Sequence, residues 1–179
     1  MRLEKFGLRL HPDKTRLMEF GRFAEGDRKK RGDGCPKTFD FLGFTHYCCK
    51  TRKGRFRLGR KPIAKRMARF VKRMCTKLRQ RMHQPVHQTG KWLGQVLNGW
   101  LNYYSVPWSM PSLRRCYKCL KWVWLRVLRR RSQRDQTTWE QLETLVERYW
   151  PKLRIRHDWP TRRFTVTHAS ATQGRSRMR

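Results

Sequence analysis

Twelve acidic side chains are spread through 179 residues, and their scatter limits the chemistry open to this chain. Polymerase or nuclease chemistry with two metals groups carboxylates so that the cations sit about 3.5 to 4 Å apart. No Asp-Asp pair occurs here, and Asp27, Asp33 and Asp40 fall in or beside a strongly basic stretch. Loop turns and solvated charge are the ordinary uses of such residues. His11, His46, His83, His87, His157 and His168 fall in different predicted elements, so no nuclease motif built on His and Asn forms. Among Cys35, Cys48, Cys49, Cys75, Cys116 and Cys119 only the last two make a C-x-x-C, and no second pair stands at zinc-finger spacing. Helix packing is the simpler use of that pair, and neither a metal site nor a disulfide framework is expected. A phosphate-cradling G-x-x-x-x-G-K-[ST] loop is also missing. Binding chemistry is what remains.

The binding partner is indicated by charge. Lys and Arg number 45 against 12 Asp and Glu, a formal net charge of +33. A compact body so imbalanced repels itself unless polyanions are near. Eight Trp and an aromatic share of 12% argue for a folded core rather than a disordered basic tail. Arg and Lys would neutralise phosphates, and exposed aromatic rings would stack on unpaired bases. Most of the Trp residues are nevertheless spaced as core. Apolar runs such as Trp122 to Leu125 are cut at once by Arg or Lys, so no membrane span is expected. The opening MRLEKFGLRLH lacks the apolar stretch of a secretory signal. A cytoplasmic protein with reduced thiols and no membrane partner is the expectation.

These side chains need elements to position them. The opening segment reads as a short helix ended by Gly7, then a turn at Pro12 and a short strand from Arg16 to Phe20. Gly21 to Lys37, rich in Gly, Asp and basic residues, reads as loop. TFDFLGFTHYCCK and RKGRFRLGRK, joined across Lys53 and Gly54, read as a β-hairpin. After Pro62 the period changes: Ile63, Met67, Phe70, Val71, Met74, Leu78 and Met82 recur at three and four, an amphipathic helix. Its other faces carry Lys65, Arg66, Arg69, Lys72, Arg73 and Lys77, and no acidic residue occurs from Lys61 through His83. Solvated faces ordinarily mix both signs, so RNA contact is the preferred reading of this one. A second helix is predicted from about Gly90 to Tyr104, closed by Pro107, with Trp92, Val96, Trp100 and Tyr104 on one face. A third begins near Pro111 and carries Leu113, Tyr117, Leu120, Trp124 and Leu128. Its Arg114, Arg115, Lys118 and Lys121, and the closing run Arg129, Arg130 and Arg131, join the candidate RNA contacts. A fourth opens at Thr137, with Glu140 completing a capping box, and stops at Trp150-Pro151. The tail beyond is basic, with short β-prone pieces and partial disorder expected.

In order, LRLHPDKTRLMEFG, a basic loop, FDFLGFTHY, a basic helix, LNGWLNYYSVP and LRVLRRRSQRDQTTWEQL resemble the C-terminal part of bacterial group II intron-encoded reverse transcriptases, also called maturases. The resemblance spans nearly the whole chain. It implies an α+β, mainly α fold: residues 1–60 as the end of the polymerase palm with its β-hairpin, 61–151 as the helical thumb or maturase domain X, and 152–179 as a basic tail. Lys14 is implied to lie near the incoming nucleotide's phosphates, and Phe41, Leu42, Gly43 and Phe44 to support the primer terminus. The implied partners are group II intron RNA and template-primer nucleic acid. Members carry a Tyr-x-Asp-Asp motif a few dozen residues before the position where this sequence begins, and Mg2+ serves the full-length enzyme. This chain has neither that motif nor an expected cofactor of its own. Two roles follow as expectations: an RNA-binding maturase module without covalent chemistry, or half of a split reverse transcriptase needing an upstream palm fragment. A non-functional truncated product is the third reading.

Overall fold

A computed structural model describes residues 4–12, 15–132 and 136–158. Among the described residues the fold is α+β and mainly α, with a small antiparallel sheet of order β1-β2-β3 and five α-helices. The strands are β1 (Phe39–Phe41), β2 (Phe44–Lys50) and β3 (Phe56–Pro62). The helices are α1 (Ala24–Lys30), α2 (Ala64–Gln80), α3 (Val86–Tyr104), α4 (Met110–Arg129) and α5 (Trp139–Tyr149). The chain divides into two compact units, Met1–Phe39 with His46–Gly59, and Asp40–Thr45 with Arg60–Arg179. Residues 40–45, assigned above to a 1–60 domain, thus group with the helices.

In the first unit the basic stretch read as loop contains a helix. Glu25 and Asp27 occupy the first turn of α1 and Arg28, Lys29 and Lys30 the last, the arrangement that suits the helix dipole. Arg31 closes it and Gly32 follows at φ 75°, while Asp33 N–H donates to the Arg28 carbonyl and Gly32 N–H to that of Lys29. That is a Schellman motif. Arg28 and Arg31 also pair with Glu19 and Asp33. Ionic and capping interactions, not an apolar stripe, stabilise α1, and an apolar pattern search passes over it. The predicted strand from Arg16 to Phe20 is irregular, and the opening helix is a single 3-10 turn, Glu4–Phe6. Phe20 and Phe39 meet edge to face at 5.0 Å, and Phe39 stacks on His46 at 4.9 Å. The predicted hairpin turn at Lys53 and Gly54 is present, with Gly54 at φ 73°.

The second unit holds the main core. Phe70, Met74 and Leu78 of α2, Leu93, Leu97 and Trp100 of α3, Leu120 and Trp124 of α4, and Leu142 of α5 are buried together. α2 packs on α4, α3 on α5, and α4 on α5. Trp124 stacks on Trp150 at 5.6 Å, and Tyr117 meets Trp150 edge on and donates its hydroxyl to the Pro151 carbonyl at 2.9 Å. α3 starts at Val86, a turn before the predicted Gly90, because Pro85 fixes the preceding backbone and its carbonyl accepts from Gln88 and Thr89. The capping box of α5 uses Thr138 and Gln141, one residue later than predicted. Residues 152–158 continue from α5, and there the backbone N–H groups of Arg156 and His157 donate to the Ser105 carbonyl beyond α3. The rest of the predicted basic tail, 159–179, lies outside the described residues.

Candidate nucleic-acid interface

α2 separates its two kinds of residue cleanly. Its apolar row is buried, with Phe70 stacked on Trp100 at 5.0 Å and an interplanar angle of 9°. Lys65, Arg66, Arg69, Lys72, Arg73 and Lys77 are all exposed. None of them pairs with a carboxylate among the described residues, and Arg73 lies 5.7 Å from the Phe70 ring centroid. Lys65 and Arg66 stand in the first turn, which has no acidic residue. A cation at a helix N-terminus opposes the dipole at a cost of about 0.3 to 1 kcal/mol. This end of α2 therefore concentrates positive potential that an anion would relieve.

A tight turn lies within the run Phe41 to Phe44. Leu42 at φ 44° and Gly43 at φ 82° are the two residues between β1 and β2, both left-handed, as a type I′ hairpin turn requires. Glycine takes that conformation freely, whereas leucine takes it at a cost of about 1 to 2 kcal/mol. Three contacts hold the turn. The Tyr103 hydroxyl donates to the Leu42 carbonyl at 2.6 Å, Tyr103 stacks with Phe44 at 5.6 Å, and Ile63 N–H donates to the Gly43 carbonyl at 3.1 Å. A Cβ on Gly43 would lie 3.1 Å from the Arg66 guanidinium and 3.3 Å from the Tyr103 ring. Phe41 and Leu42 remain exposed. Four predicted site residues and Arg66 thus converge, and Tyr103, not singled out from the sequence, is their common support. Lys14 lies outside the described residues.

On α4 the predicted contacts divide. Arg114, Arg115, Lys118 and Arg130 are exposed, and Arg131 follows the helix end. Lys121 is half-buried and bonded to both carboxylate oxygens of Glu143, at 2.8 and 2.6 Å. It is engaged within the fold rather than free for phosphate. Arg129 donates through Nε to the Thr137 carbonyl at 2.9 Å, tying the end of α4 to the approach of α5. Arg81, outside the predicted set, lies over Trp92 with its guanidinium carbon 4.5 Å from the ring centroid. No spacing rule links those two residues.

Among the described residues no group of three or more His, Cys, Asp or Glu is placed to hold a metal ion. Cys116 is buried and Cys119 exposed, and burial followed by the neighbouring Cys119 pushes the Cys116 thiol up to about 12. No described helix is long and apolar enough to cross a membrane. Comparisons with protein-family models, curated proteins and solved structures return no match to this chain.

Proposed function

We propose that this chain is an RNA-binding module, the C-terminal part of a group II intron reverse transcriptase/maturase, which clamps intron RNA through its phosphates and assists splicing. The RNA does the covalent chemistry. In a full-length polymerase the same surface would grip the template-primer. One observation carries this reading: the exposed cationic face of α2, six Lys and Arg with no carboxylate partner among the described residues, stands opposite an apolar face buried in the core. A solvated helix face has no need of such one-sidedness. Six phosphate contacts release enough counterions that affinity for structured intron RNA should fall about 10³-fold between about 50 and about 200 mM salt. Filter binding across that range tests the proposal, and a flat response refutes it.

A second reading has its own support. In the first unit Phe6, Leu8, Leu10, Leu17 and Phe23 are all exposed, more large apolar surface than a short segment ordinarily leaves in water. Those residues suit burial against a separately encoded palm fragment, which makes this chain half of a split reverse transcriptase. Mixing the two pieces should then restore primer extension, and no extension with both pieces folded rejects that reading.

A further inference from the structure

One row on α4 differs from the rest of the surface. Arg114, Lys118, Trp122, Arg126 and Arg130 follow one another at i,i+4 and all five are exposed, Trp122 to 51%. At a rise of 1.5 Å and about 100° per residue each step is about 6 Å along the axis and about 40° around it, so the row winds about α4 with an indole in its middle and two cations to either side. Trp122 also borders two hollows. One is a groove of 1080 Å³ between α4, α5 and the segment after α5, into which Arg114, Lys118 and Lys152 also project. The other is a smaller hollow of 140 Å³ between α2 and α4, edged by Arg79, Arg126 and Arg130. Inside the groove Trp139 meets Trp122 edge to face, centroids 4.6 Å apart and planes at 85°. That contact holds the Trp122 ring against its neighbour. The carboxylate of Glu143 in the same groove is taken up by Lys121, which leaves Glu147 there without an ion-pair partner among the described residues.

The row costs the fold. Like charges at i,i+4 repel, and a half-exposed indole forgoes burial that the neighbouring Trp124, wholly buried, obtains. A half-exposed ring held by a neighbouring indole, and flanked by cations along its helix, matches an unpaired base with phosphates on either side. A duplex hides its base faces and cannot use it. A proline-rich or other uncharged peptide would gain from the indoles but not from four cations.

We propose that the α4 row and its groove take a single-stranded stretch of nucleic acid, one unpaired base stacking on Trp122 and the flanking phosphates resting on Arg114, Lys118, Arg126 and Arg130. The inference rests on the nucleic-acid reading above and narrows it to unpaired segments at this site. The test compares a short unstructured RNA strand with a duplex of equal length, each binding the full chain and its Trp122→Ala and Trp122→Phe variants. Trp122→Ala should lose about 5- to 150-fold in affinity for the single strand, the stacking worth of one base, and change duplex affinity less than about twofold. Trp122→Phe should retain most of the single-strand affinity. Ultraviolet crosslinking of a 4-thiouridine strand to the unaltered chain, read by peptide mass spectrometry, checks the site without depending on how any variant folds, and the adduct should map to Trp122. Unchanged single-strand affinity in Trp122→Ala, an equal loss for both RNAs, or an adduct away from the α4 row overturns the inference. So does a proline-rich peptide that binds this groove while RNA does not. Failure of the unaltered chain to bind either RNA refutes the broader reading instead, which separates the two failures.

Discussion

Replacing Gly94 with alanine should destabilise the helical unit, although alanine is the better helix former. Gly94 is buried in the middle of α3, and a Cβ there would lie 2.1 Å from the carbonyl oxygen of Tyr149, the last residue of α5. The obstructing atom is backbone, so no change of rotamer relieves it. Either α5 withdraws, loosening Val146 and Trp150, or α3 bends. The substitution gains about 0.8 to 1 kcal/mol in helix propensity. Overpacking costs about 1 to 3 kcal/mol, and a backbone collision this close belongs at the upper end. The net loss is about 2 kcal/mol, which lowers Tm by about 4 to 8 °C for a chain of this length. Gly99 supplies the control in the same helix. It is exposed, and nothing lies within 4 Å of its Cβ position, so Gly99→Ala should keep the propensity gain and raise Tm by about 2 to 4 °C. Melts followed by far-ultraviolet circular dichroism measure both. If Gly94→Ala proves as stable as Gly99→Ala, α5 does not approach α3 through Gly94, and the packing described here is wrong.

Trp100→Ala should cost about 3 to 5 kcal/mol in chemical denaturation, since the ring is 8% exposed and stacked on Phe70; retained stability would show it is not core. Reversing Arg66, Arg69 and Arg73 together to Glu should abolish measurable RNA binding at moderate salt while the circular dichroism spectrum stays unchanged, because all three are exposed. Loss of the spectrum would mean that the face is packed. Cys116, raised to about 12 by burial, should resist alkylation at neutral pH while the exposed Cys35 and Cys119 label quickly. Its neutral thiol stabilises the fold fully below the ordinary value of 9.0, and that contribution is lost as pH rises from there through about 12. Subtracting the Tm profile of Cys116→Ala from that of the parent chain isolates this decline, and parallel profiles would refute it.

What the sequence made legible was whatever the apolar period writes down. The register of α2, with Phe70, Met74 and Leu78 inward, follows from its three-four spacing, and the same holds for Leu120 and Trp124 on α4. α1 was hidden because ion pairs and a Schellman closure stabilise it instead of an apolar face. The hairpin of two strands became three because Leu42 reads as a strand residue, yet with Gly43 it forms a left-handed turn. The capping box slipped by one because Thr137 with Glu140 and Thr138 with Gln141 fit the same pattern, and only the hydrogen bonds distinguish them. At the candidate site, cations were visible as residue types, but their partners were not. Tyr103 reaches a carbonyl 61 positions away, and Lys121 finds Glu143 on another helix. No local pattern encodes such contacts.

The placement of the few carboxylates carries one more consequence. In the first unit Glu19, Glu25 and Asp33 each meet Arg28, Arg31 or Lys50, and in the second Glu143 meets Lys121. The i,i+4 rows Lys65, Arg69, Arg73, Lys77 on α2 and Arg114, Lys118 and Arg126, Arg130 on α4 have no such partner among the described residues. Each like-charge step costs about 0.2 to 0.5 kcal/mol, so the five steps together hold about 1 to 2.5 kcal/mol of repulsion. Salt shortens the Debye length from about 30 Å at 0.01 M to about 10 Å at 0.1 M and about 3 Å at 1 M, and so relieves part of it. The free protein should therefore melt several degrees higher in strong salt than in weak, while its affinity for RNA moves the opposite way. Chloride rather than sulfate is the salt to use, because sulfate also strengthens apolar burial. A Tm that stays flat or falls with sodium chloride would mean that these rows do not repel as drawn, and the claim that they await a polyanion would lose its physical basis.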